Sequence, residues 1–114
     1  MNQIQHFLNG QVVEGASGRT FPVYNPATGE QKAEVALASA DETREAVRIA
    51  HDAFATWSTF TPLKRSRILF KFKALVEEHA DELARLISQE HGKVFSDAKG
   101  EVTRGLEVVE FACG

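Results

Sequence analysis

Cys113 is the only cysteine in the chain, and a thiolate is a strong nucleophile once a helix N-terminus or a cation lowers its pKa. Its position points elsewhere: it falls at the C-terminal end of a helical pattern, where the helix dipole disfavours an anion, and on that helix's apolar stripe. A buried packing role is expected. His6, His51, His79 and His91 show no His-Glu-x-x-His spacing and no cysteine partners, so a metal site is not expected. The adjacent carboxylates Glu77-Glu78 and Asp81-Glu82 point in different directions on a helix and form no acid/base dyad. Gly92-Lys93 resembles the end of a phosphate-binding loop, but Ile87 stands where its first glycine belongs and Val94 replaces the magnesium-binding hydroxyl. None of the eight glycines follows the Gly-x-Gly-x-x-Gly dinucleotide spacing.

Two cationic features remain. Lys64, Arg67 and Lys71 share one helix face and could meet phosphate or an acidic partner surface, or simply be solvated. Arg104 precedes Gly105 inside a helical pattern, where glycine costs about 1 kcal/mol relative to alanine unless something approaches the backbone closely. The plainer role for Arg104 is pairing with Glu101 or Glu107, three residues to either side.

The elements that must position these residues divide at Ser39. Residues 1–38 are punctuated by turns and read as β-hairpins. Asn9-Gly10 supplies the positive φ angles of a two-residue turn between Phe7-Leu8 and Gln11-Val12-Val13. Phe21–Tyr24 and Gln31–Val35 form strands around Asn25-Pro26-Ala27-Thr28-Gly29, with Pro22 suited to an edge strand. Residues 39–114 follow the helical period. Ser39-Ala40-Asp41-Glu42 is a capping box, Thr61-Pro62 opens a second helix, Gly92 closes a third near Asp81–His91, and a fourth begins near Ser96-Asp97. The second helix is expected to bury Leu63, Ile68, Leu69, Phe72, Leu75 and Val76.

The composition narrows the class without naming a function. With 114 residues, 43% hydrophobic and 25% charged, the chain suits one ordinary globular domain and is too short for a two-domain enzyme. The net charge of −3 divides unevenly: 4 bases and 7 acids in residues 1–61, 5 and 0 in 62–74, 4 and 9 in 75–114. A basic stretch so outweighed argues against nucleic-acid binding. No apolar run suits a membrane span or a signal peptide, and a single cysteine forms no internal disulfide, so a reducing cytoplasm is the expected compartment.

Five segments, in order, resemble the amino-terminal portion of the aldehyde dehydrogenase superfamily. They are Phe7-Leu8-Asn9-Gly10, Asn25-Pro26-Ala27-Thr28-Gly29-Glu30, Ala53-Phe54 with Trp57, Arg67-Ile68-Leu69-Phe70-Lys71-Phe72, and Glu90-His91-Gly92-Lys93. The stretch from Asp97 to Ala112 is most similar to the CoA-acylating methylmalonate-semialdehyde dehydrogenase branch.

The resemblance implies an α/β parent. In such a parent a cysteine attacks an aldehyde, a hydride passes to NAD, and coenzyme A takes the acyl group, with loss of carbon dioxide from a 3-oxo acid semialdehyde. It places the nucleophile, the base, the oxyanion-stabilising asparagine and the cofactor's phosphate turn outside this segment, so the chain alone is expected to be inactive. It also matches Arg104, in Gly-Glu-Val-Thr-Arg-Gly, to an arginine that holds the substrate carboxylate. The parent is expected to be a homo-oligomer, and apolar stripes that would normally face its nucleotide-binding sheet are expected to drive the segment alone toward self-association or swapping. The alternative is a free-standing helical interaction module using Lys64, Arg67 and Lys71.

Overall fold

The computed structural model describes residues 2–114. Five strands precede four helices: β1 (Asn2–Ile4), β2 (His6–Leu8), β3 (Gln11–Val13), β4 (Thr20–Tyr24), β5 (Gln31–Ala36), α1 (Ala40–Trp57), α2 (Pro62–Glu78), α3 (Ala80–His91) and α4 (Phe95–Cys113). The chain forms two compact units, residues 2–59 and 60–114, so α1 goes with the strands and α2–α4 stand together.

In the first unit, β2 and β3 pair antiparallel through Asn9 (φ 54°) and Gly10 (φ 77°), the conformation that Asn-Gly favours. The Asn25–Glu30 turn is closed by its own residues. The Asn25 side-chain oxygen accepts from the Ala27 N–H at 2.9 Å, and the Asn25 carbonyl accepts from Gly29 N–H at 2.8 Å. β4 and β5 flank that turn antiparallel, and Pro22 lies on the edge strand β4.

The expectation of hairpins alone is incomplete. β1 adds in parallel to β5, pairing Gln3 with Glu34 and Ile4 with Val35, to give a three-stranded sheet of order β1-β5-β4. Asn2-Gln3-Ile4 carries a single apolar residue, so no alternation announces a strand there. The sheet's buried residues are Ala33 and Ala36, both on the central strand.

Glu42 ties this unit together. Ser39 caps α1 by accepting from the Glu42 N–H at 3.1 Å, while the Glu42 carboxylate accepts from Ser39 N–H and from Ala16 N–H, each at 3.0 Å. His6 Nε2 lies 3.6 Å from the same carboxylate. The Ala16 N–H first, and the Ser39 N–H after it, hold the Glu42 carboxyl below its ordinary pKa of 4.5.

A carboxyl whose pKa is lower in the folded state stabilises the fold above its unfolded pKa. That stability is lost as pH falls through the folded value. The Tm gap between the native chain and Glu42→Gln is therefore expected to be widest near pH 6 and to narrow below about pH 4.5. Thermal unfolding followed by circular dichroism across pH 3 to 6 checks this, and a constant gap would contradict it.

In the second unit, Thr61 accepts from Lys64 N–H at 3.1 Å and Pro62 sits at the first helical position, so α2 starts where a donor is satisfied and another is missing by chemistry. Gly92, in the left-handed region at φ 87°, ends α3. The core lies between α3 and α4, where Ala84, Ala98 and Val102 are buried and Val76, Ala80, Leu83, Ile87 and Leu106 pack against them.

The expected burial along α2 is corrected here. Leu63 and Leu75 remain 59% and 55% exposed, Ile68 and Phe72 are also exposed, and only Leu69 and Val76 of that stripe are partly covered. A three-helix unit offers α2 one narrow packing face, too small for a stripe of six large side chains.

Candidate functional site

Arg104 lies on the exposed side of α4, and among the described residues it makes no hydrogen bond and no ion pair within 4 Å. Its Nη1 lies 3.8 Å from where a Cβ on Gly100 would stand, so the guanidinium folds back one turn over bare backbone. One of the two pairing partners offered by helical spacing is taken: Glu101 accepts from Lys93 Nζ at 2.8 Å. Lys93, just ahead of α4, is the largest cause holding the Glu101 carboxyl below its ordinary range, and the charge of Arg104 contributes less. A second pair, Lys99 to Asp81 at 2.8 Å, joins α4 to α3. The result is an unpaired guanidinium beside one answered glutamate, Glu101, while Glu107, the other at helical spacing, is exposed and does not meet it either, an arrangement suited to binding a carboxylate or phosphate.

Gly105 is not explained by close approach within this chain, since nothing lies within 4 Å of a Cβ built there. Gly105→Ala is therefore expected to raise the unfolding free energy of the helical unit by about 0.5–1 kcal/mol, read as a higher urea midpoint. A lower midpoint would show an unseen constraint at this turn.

The other candidates separate. Lys64, Arg67 and Lys71 are exposed on α2, with Lys64 Nζ 4.0 Å from the centre of the Phe60 ring, a cation–π interaction that needs no partner. Cys113 is buried on α4. His79 lies 3.0 Å from Glu82, His6 faces Glu42, and His51 and His91 are exposed on helices. Among the described residues no group of three His, Cys, Asp or Glu side chains could hold a metal, and no helix is long and apolar enough to cross a membrane.

A groove of about 590 Å³ in the first unit is walled by Phe7, Leu8, Val13, Ala38 and Ala46. Of its carboxylates, Asp41 and Glu45 are paired to Arg44 and Arg48, Glu42 receives backbone N–H groups, and Glu14 is exposed. Of the potential nucleophiles lining it, the Thr43 hydroxyl donates to the Ser39 carbonyl at 3.0 Å and His6 faces Glu42, so the groove has the character of packing surface.

The Lys93–Glu101 pair is invisible to sequence reasoning because it spans the turn into α4, where helical spacing does not apply. The signal available is only that Arg104 has a glutamate at helical distance.

The family model for aldehyde dehydrogenases matches residues 12–114. This chain belongs to the aldehyde dehydrogenase family. Malonate-semialdehyde dehydrogenase 2 of Geobacillus kaustophilus is 50% identical over 111 residues, which are 97% of this chain and 23% of that protein. Malonate-semialdehyde dehydrogenase of Bacillus pumilus is 45% identical over the whole chain and 24% of its own length.

Among solved structures, methylmalonate-semialdehyde dehydrogenase from Oceanimonas doudoroffii superposes with a TM-score of 0.95 at 50% identity, over 100% of this chain and 23% of that one. A Sinorhizobium meliloti structure described as a methylmalonate-semialdehyde dehydrogenase complexed with NAD gives 0.96 at 45% identity, with the same coverage. This aldehyde dehydrogenase chain thus spans about a quarter of the relatives it matches, and its strands followed by four helices correspond to the amino-terminal segment of their fold.

Proposed function

We propose that this aldehyde dehydrogenase segment serves an NAD-dependent oxidoreductase that converts malonate or methylmalonate semialdehyde to an acyl-CoA with loss of carbon dioxide. The observation that carries the reading is the 45–50% identity, over nearly the whole chain, to malonate- and methylmalonate-semialdehyde dehydrogenases. Over the whole reaction the aldehyde carbon would be oxidised by two electrons, with NAD as the hydride acceptor, and the substrate carboxylate would be lost as carbon dioxide as the thioester to coenzyme A is gained.

These residues do not fit a dinucleotide: no turn among them has the glycine spacing that lets a backbone cradle a pyrophosphate. The segment's own contribution is Arg104. Two of its five N–H donors would grip the substrate carboxylate and distinguish a semialdehyde acid from a plain aldehyde.

The test is turnover by a protein carrying this segment in its reading frame. Malonate or methylmalonate semialdehyde should yield NADH and an acyl-CoA, with no acyl-CoA formed when coenzyme A is withheld. Oxidation of propanal in preference to either semialdehyde acid would overturn the substrate assignment. Self-association of the 114-residue chain is supported by exposed Leu63, Leu75 and Phe111, the last 87% exposed. Sedimentation is expected to show oligomers that grow with concentration, and a clean monomer at high concentration would count against this.

A further inference from the structure

Glu101 stands three residues before Arg104 on α4, the spacing at which a glutamate ordinarily meets an arginine. Such a pairing would occupy the guanidinium and set a negative charge where a substrate carboxylate has to arrive. The pairing is not made. Lys93 reaches across the start of α4 to Glu101 at 2.8 Å, and its side chain is only 18% exposed against 42% for Glu101. A partly buried ammonium with little freedom competes well against a solvated arginine, because less side-chain entropy is lost and screening is weaker.

We propose that Lys93 is a specificity-determining positioning residue: by holding Glu101 it keeps Arg104 open for the carboxylate of the substrate. The proposal rests on the reading of Arg104 given above. Lys93 touches no reacting atom in this scheme; it acts through Glu101. The low pKa of the Glu101 carboxyl, due chiefly to Lys93, agrees with a charge already answered. Loss of Lys93 would release a carboxylate onto Arg104, so a semialdehyde acid would have to displace it and also face its repulsion. A plain aldehyde carries no carboxylate and would not notice.

The experiment measures, in a dehydrogenase carrying this segment, the ratio of kcat/KM for the semialdehyde acid to that for propanal. The ratio does not depend on how much of each variant is folded. Lys93→Met is expected to lower it about three- to tenfold, through KM for the acid, as expected when a like charge and a competing partner are placed at a binding arginine. Adding Glu101→Gln to Lys93→Met should restore the ratio, and Lys93→Arg should leave it within about twofold, because the pair survives. Lys93→Gln repeats the test if the methionine variant does not accumulate.

An unchanged ratio in Lys93→Met and Lys93→Gln, beside a collapsed ratio in Arg104→Leu, overturns the proposal and leaves the Arg104 reading standing. A fall that Glu101→Gln does not rescue also overturns it, since Lys93 would then be structural. An unchanged ratio in Arg104→Leu removes the premise, and the proposal with it.

Discussion

Arg104→Leu, placed in a dehydrogenase carrying this segment, is expected to lower kcat/KM for the semialdehyde acid about 100- to 1000-fold while changing that for propanal little. The size follows from the grip proposed for the guanidinium on the carboxylate. Two charge-assisted hydrogen bonds between these groups account for roughly 3–4 kcal/mol, and each 1.4 kcal/mol is a factor of ten. Leucine keeps the helix propensity and much of the apolar stem of the side chain, so the fold should be preserved.

Because Arg104 has no partner among the described residues, removing it orphans no internal carboxylate, and the effect should appear only with acid substrates. Steady-state kinetics with the semialdehyde acid and propanal decide the matter. Equal discrimination in wild type and variant would sink the assignment of Arg104 to the substrate carboxylate.

Ala84→Asp should abolish the cooperative unfolding of the helical unit. Ala84 and Ala98 have no exposed surface, and two methyl-sized side chains at the crossing let α3 and α4 lie close together. An aspartate at position 84 brings a larger group and a charge into surroundings of Val76, Leu83, Ile87, Val102 and Leu106, with no cation in that cluster to answer it. Burying such a group unpaired costs about 4 kcal/mol or more, against a total of about 3–8 kcal/mol for a unit of this size. Loss of the helical signal at 222 nm, or its melting without a sharp transition, is the expected result. The same substitution at half-exposed Leu86 should cost far less, and equal urea midpoints for the two variants would contradict the placement of the core between α3 and α4.

The features legible in the sequence are those whose partners lie within a few residues. Asn9-Gly10, the Asn25–Gly29 turn, the Ser39–Glu42 capping box, Thr61-Pro62 and Gly92 each satisfy their own backbone groups locally, and each stands where spacing places it. The helical period from Ser39 onward is equally readable, because amphipathic spacing belongs to one helix at a time. Pairing at a distance is not. β1 joins β5 some thirty residues along, and nothing in Asn2-Gln3-Ile4 specifies that partner.

Burial of the α2 stripe is likewise beyond the sequence: periodicity says which residues could face a neighbour and cannot supply the neighbour. The core hides for the opposite reason, since Ala84 and Ala98 look ordinary beside leucines and phenylalanines, yet their smallness is what lets two helices meet.

At the site the division is similar. The residues themselves single out Arg104 and its possible glutamate partners, and the likeness of their order to aldehyde dehydrogenases suggests what a lone arginine there would hold. Only the fold decides that the arginine is unpaired. Ion pairing is a competition among all charges within a few ångströms, and Lys93 enters that competition through the turn at Gly92, a through-space neighbour of Glu101 that no helical count brings near. Sequence alone determined the local turns, the caps, the helical periods and the family likeness, because each depends on residues close together along the chain. Tertiary structure decided which stripes are covered, which small residues form the core and which cation is left open, because those depend on what the folded chain brings together in space.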